Sequence, residues 1–155
     1  MNTSHTRILA STCCIALGTL AYAAEKPIPR EKLPAAVQKT ADEQSKGATI
    51  KRFVKDNEDG HLEYEMEMTV DGHSKDVSMA PDGRLLEIEE QVALESLPEN
   101  VREGLKTRAG HGTITKVESI TKHDKVVAYE AQVRTGGKHS EIQVGPDGKP
   151  LDHEE

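Results

Sequence analysis

Three glutamates spaced by two, Glu63, Glu65 and Glu67, form the most regular row of like chemical groups in this chain. They alternate with Leu62, Tyr64, Met66, Met68 and Val70. Period-two alternation marks a strand buried on one side only, so the carboxylates share the other side. A later stretch repeats the pattern, with Val127, Tyr129, Ala131 and Val133 alternating with Glu130, Gln132 and Arg134. Rows of carboxylate, amide and guanidinium suit docking by charge and hydrogen bond on a protein or peptide. A solvated face of an antiparallel sheet reads the same way. The candidate partner surface is therefore Glu63, Glu65, Glu67, Glu130, Gln132 and Arg134, on one broad polar face if the two stretches lie side by side.

Metal ligation is the second chemistry to weigh. Six of the seven histidines, His61, His73, His111, His123, His139 and His153, lie beyond the first 23 residues. They fall in expected turns or at strand ends, with no His-x-His or His-x3-His pair on a regular element, so no preformed zinc or copper site is indicated. Looser combinations are His153 with Asp152 and Glu154, and His61 with Asp59. The acidic run Asp56 to Gly60 fails as a calcium loop. With Gly60 in its sixth place, Lys55 and Met66 would stand where carboxylate ligands belong. It reads as a hairpin turn.

Catalytic motifs are missing: no GxSxG, no HExxH and no glycine-rich phosphate loop. Both cysteines, Cys13 and Cys14, lie near the N-terminus. The expectation is a protein that is not an enzyme and uses no cofactor. With 27 acidic against 20 basic residues and no basic stripe, nucleic acid is not an expected partner.

The opening residues place one positive charge, Arg7, before an apolar run from Ile8 to Leu20 and the triplet Ala21-Tyr22-Ala23. That is the layout of a signal peptide over 1–23, cut after Ala23. The run falls short of the roughly 20 apolar residues a spanning helix needs, so no stable membrane anchor is expected after cleavage. The expected location is periplasmic or secreted. Residues 24–32, with two prolines and five charges, read as an extended lead-in.

The elements that must position the polar rows occur twice. Leu33, Val37 and Ala41 are spaced by four, as are Leu97, Val101 and Leu105, and each set predicts an amphipathic helix, ending near Lys46 and Arg108. Ser96 to Glu99 fits a capping box. Strands follow from Thr49 and from Thr113, where apolar residues three apart (Ile50 and Phe53, Ile114 and Val117) predict a bulge. Tight turns are expected at Asp71-Gly72 and Gly136-Gly137, and again at Pro81-Asp82-Gly83 and Pro146-Asp147-Gly148. Leu86 and Leu151 begin expected fourth strands. One extra residue in the second copy is assigned to its first hairpin. The resulting fold class is α+β, with two tandem copies over 33–91 and 96–155. Each is a helix followed by a four-stranded antiparallel meander, the helix on one sheet face.

The ordered set Leu33-Pro34, Tyr64-Glu65, Gly72 and Pro81-Asp82-Gly83 recurs as Leu97-Pro98, Tyr129-Glu130, Gly137 and Pro146-Asp147-Gly148. This resembles the PepSY-like family of exported bacterial domains, described as similar to β-lactamase inhibitors. The resemblance implies a helix against an antiparallel sheet and a binding or inhibitory role, with no catalytic residues to carry over. The expected function is an exported module contacting a protein or peptide of the cell envelope through a sheet face or edge. The alternative is a metal-binding or metal-responsive envelope protein using surface histidines and carboxylates.

Overall fold

The computed structural model describes residues 26–58, 60–153 and 155. The expected signal peptide, its cleavage site and both cysteines lie outside the described residues, as do Asp59 and Glu154. The elements run β1 (Lys26–Pro27), α1 (Ala35–Gln44), β2 (Thr49–Glu58), β3 (His61–Val70), β4 (His73–Met79), β5 (Leu85–Gln91), α2 (Glu99–Ala109), β6 (Thr113–Lys122), β7 (Lys125–Thr135) and β8 (Lys138–Val144). Short 3-10 turns at Arg30–Lys32 and Leu94–Ser96 precede the helices.

All strands pair in sequence order in one antiparallel sheet, seven full strands plus the two-residue β1. This corrects the expected fold class of two tandem copies, each with its own helix and four-stranded meander. The chain is mostly β, with a single continuous sheet, because β5 pairs with β6 from Ile88↔Thr121 to Gln91↔Glu118. Three strands, not four, follow α2. The strand expected at Leu151 does not form among the described residues; after Val144 these show only an isolated bridge to Pro150. A proline has no N–H to continue a ladder, which stops pairing there.

Both helices lie on the same sheet side. Under α1, Val37 and Ala41 pack with Phe53, Tyr64, Met66, Met68, Val77 and Met79. Under α2, Val101 and Leu105 pack with Val117, Ala131 and Val144. The spacing by four and the alternation in β3 were thus two views of one interface, a helix stripe against one side of a pleated strand. Each PDG turn also braces a helix. A Cβ on Gly83 would lie 2.7 Å from the Ala36 carbonyl oxygen, and one on Gly148 would collide with that of Asn100. Thr40 Oγ1 adds a hydrogen bond to the Gly83 carbonyl at 2.7 Å.

Two local expectations change. The N-cap of α2 is Pro98, with no side-chain cap bond, and Ser96 Oγ donates instead to the Ala93 carbonyl at 2.7 Å. Ser96 lies inside the preceding 3-10 turn, too early to reach the first helical N–H groups. The extra residue of the second half is not in a loop either. The register passes from Ile120↔Ala128 to Thr121↔Val126, leaving Val127 as a bulge in β7. The expected early bulges do occur, between Ile50 and Arg52 and between Ile114 and Lys116.

Candidate interaction face

The helix-free side of the sheet carries every candidate residue read from the sequence. Glu63, Glu65 and Glu67 lie on β3, half-buried, and Glu130 and Gln132 lie half-buried on β7, while Arg134 is exposed. Their strands are not neighbours. β4, β5 and β6 stand between β3 and β7, a separation of roughly 19 Å at about 4.8 Å per strand. The rows therefore form the two flanks of one face.

Between the flanks lies a group that the sequence reading missed. Cross-strand register places Glu67 opposite Asp76 and Asp76 opposite Glu89. Glu118 joins them from β6, opposite Gln91. One carboxylate oxygen from each of Asp76, Glu89 and Glu118 lies within 4.8 Å of the others. Glu118 is only 3% exposed. It accepts from Ser74 Oγ at 3.2 Å and faces Lys116 Nζ at 2.6 Å. Each of these acids alternates with an apolar core residue: Asp76 with Val77, Glu89 with Ile88, and Glu118 with Val117. That alternation was readable, but the strand order that gathers them was not.

Close packing of carboxylates shows in their proton affinities. Burial, together with the like charges of Glu118 and Glu67 and against the pull of Lys116 and Lys51, raises Asp76 from 3.8 to about 6. Burial, followed by a hydrogen bond to Glu87 and its negative charge, raises Glu89 from 4.5 to about 9. At neutral pH Glu89 holds a proton and donates it to Glu87. The trio is thus a partly protonated cluster with one ammonium already seated. A divalent cation would need to displace that proton and compete with Lys116, and oxygen donors alone make hard cations the only chemical fit.

Ion pairs tie the rest of the face together. Arg52 pairs with Glu67, while Lys122 Nζ lies 3.0 Å from Glu87 Oε2 and 3.4 Å from Glu155 Oε2. Although burial works against the charge on Lys122, the hydrogen bond and charge of Glu87, then of Glu155, raise its pKa. Gln143 Nε2 donates to Glu130 at 3.0 Å, and the Glu155 backbone N–H donates to Gln143 Oε1 at 2.9 Å. An open cleft of about 260 Å³ at one end of the face is lined by Glu63, Ser78, Arg84, Glu87, Lys122 and His123, among others. Among the described residues, all six histidines are exposed and none joins a group of three potential metal ligands.

No protein-family model matches the chain, and no curated protein matches it at a significant level. Solved structures do. A provisionally periplasmic protein from Bacteroides eggerthii superposes with a TM-score of 0.63 at 18% identity, over 77% of this chain and 86% of that one. A DUF2874 family protein from Bacteroides ovatus gives 0.60 at 17% identity, over 77% and 85%. A BLIP-like protein from Bacteroides fragilis gives 0.57 at 18% identity, over 80% and 84%. At these identities the likeness establishes a common fold. It gives no support to two tandem copies.

Proposed function

We propose that the chain is an exported, non-enzymatic binding module whose helix-free sheet face docks on a basic surface of another envelope protein. The observation that carries this reading is the concentration of acids on one face. Glu63, Glu65, Glu67, Asp76, Glu87, Glu89, Glu118 and Glu130 share it, and burial, with the like charges of neighbouring acids adding to it, raises Asp76 to about 6 and Glu89 to about 9. An incoming guanidinium or ammonium group relieves that repulsion and lets Glu89 ionise. Binding strength then comes from charge released from like-charge crowding, and encounter is steered by the field of the face. The signal-peptide layout, and the periplasmic and BLIP-like descriptions of the fold neighbours, support export and an inhibitor-like mode of action.

The test begins with residues 24–155 as bait on an envelope fraction, followed by titration of each purified prey. The expected prey is basic, and binds at least tenfold more weakly to the Glu65→Lys/Glu67→Lys variant and at raised ionic strength. Prey whose affinity ignores both changes would remove the acidic-face reading.

A further inference from the structure

The two ends of the sheet are treated differently. At one end, β1 and the Ile28 N–H cover part of β2, Ile28 donating to the Phe53 carbonyl at 2.8 Å. At the other, β8 is the terminal strand, and its outer side is bridged only at Val144, by Pro150. Lys138 to Ile142 thus have no outer backbone partner among the described residues. That is roughly 16 Å of open strand edge at about 3.3 Å per residue. Natural edge strands are commonly blunted by charged residues, bulges or prolines. This stretch carries Lys138 and Glu141, which bar an uncharged or like-charged strand, but no bulge or proline, and its register with β7 runs without a shift from Thr135↔Lys138 to Tyr129↔Val144.

The charges at this edge also differ from those further in. Arg52, Lys75, Lys116 and Lys122 each hold a carboxylate. Among the described residues, Arg134, Lys138, His139 and Glu141 appear in no ion pair, and all four are exposed. Alternation sorts them. Lys138 and Ile142 lie on the helix side with Thr135 and Ala131, while His139 and Glu141 lie on the other side with Arg134 and Gln132.

We propose that β8 is a docking edge for an extended segment of another protein, added antiparallel as the next strand. Charge complementarity defines the segment. Reading from its N-terminus, an apolar residue opposes Ile142, a basic one opposes Glu141, any residue opposes Ser140, and acidic ones oppose His139 and Lys138. Backbone hydrogen bonds along the edge supply affinity, and the alternating side chains supply selectivity. This edge is distinct from the acidic face and stands independently of it.

The test is fluorescence anisotropy of full-length mature chain with a labelled peptide containing Val-Lys-Ser-Glu-Glu, against one containing Val-Glu-Ser-Lys-Lys. The first is expected to bind at least tenfold more tightly, and Glu141→Lys is expected to shift preference toward Val-Glu-Ser-Glu-Glu. His139→Pro, which removes an outward-pointing backbone N–H while leaving the ladder to β7 intact, and is checked for folding by circular dichroism, is expected to abolish binding. No binding at millimolar peptide, equal affinity for the two peptides, or an unchanged preference in Glu141→Lys overturns the proposal. Loss of binding in Glu65→Lys/Glu67→Lys with Glu141→Lys silent also overturns it, because the peptide then sits on the face.

Discussion

Lys116 and Glu118 lie two residues apart on β6, on the same side of the strand, with Nζ and Oε1 separated by 2.6 Å. The pair seats one positive charge against a glutamate that is almost wholly buried. It is the local counterweight to the Asp76, Glu89 and Glu118 cluster.

Removing that counterweight is costly. Lys116→Met leaves three crowded carboxyl groups without their ammonium, and is expected to lower unfolding free energy by about 2 kcal/mol, the scale of a lost charge-assisted hydrogen bond. Lys116→Met/Glu118→Gln should recover most of the loss, because an unpaired buried charge, more than a missing attraction, causes the damage. Urea titrations at pH 7 measure both.

Stability should fall as pH rises. Asp76 and Glu89 bind protons more tightly folded than unfolded, so the folded state carries more protons between 3.8 and about 6 for Asp76, and between 4.5 and about 9 for Glu89. Their favourable contribution is complete below the unfolded values and is lost as pH climbs through the folded ones. Glu89→Gln should flatten the slope above pH 6 and stabilise the protein by about 1–2 kcal/mol at pH 8, a figure discounted for solvent screening. Chemical denaturation across pH 5–9 reads the slope directly; a wild-type slope of opposite sign in pH 6–9 sinks this account.

Divalent cations are expected to leave the melting temperature unchanged at pH 6. Glu89 is protonated there and Lys116 holds Glu118, so the cluster offers a divalent cation only the part-ionised Asp76, too few ligands to hold it. Thermal melts with calcium and zinc check this, since specific binding must raise stability by mass action. A rise of several degrees that disappears in Asp76→Asn would restore the metal reading.

Gly148 and Gly72 separate two roles of glycine. Both have positive φ, 77° and 87°, but a Cβ meets the Asn100 carbonyl at Gly148 and open space at Gly72. Gly72→Ala should cost about 1 kcal/mol from backbone strain alone. Gly148→Ala should cost about 2–4 kcal/mol, because the turn must also lift off α2. Equal losses in parallel melts would show that the turn does not brace the helix.

Local pattern made much of this legible. Alternation in Leu62 to Val70 placed β3 and put Glu63, Glu65 and Glu67 on the correct side, and three-residue spacing exposed the bulges at Ile50 and Ile114. What the pattern could not carry was register between strands. Asp76, Glu89 and Glu118 come from three strands; the expected meander made β4 and β5 neighbours, but nothing local says that β6 joins β5. The copy-by-copy reading also failed where the halves differ physically. Pro150 stops pairing that Leu151 was expected to continue. Where the halves agree, a proline caps each helix, so Pro98 takes the cap assigned to Ser96.

The join between β5 and β6 is the narrowest in the sheet between full-length strands, with four residue pairs from Ile88↔Thr121 to Gln91↔Glu118 against nine between β2 and β3. Glu89 and Glu118 sit on either side of this seam, within the carboxylate cluster. A narrow seam carrying like charges acts as a tear line whose strength is set by acidity: protons stitch it, and alkali loosens it before either helix-backed core is touched. Native-state hydrogen exchange should therefore show the amides of Ile88, Glu90 and Ser119, which face across the seam, opening ahead of Met66 and Ala131, by a margin that widens with pH.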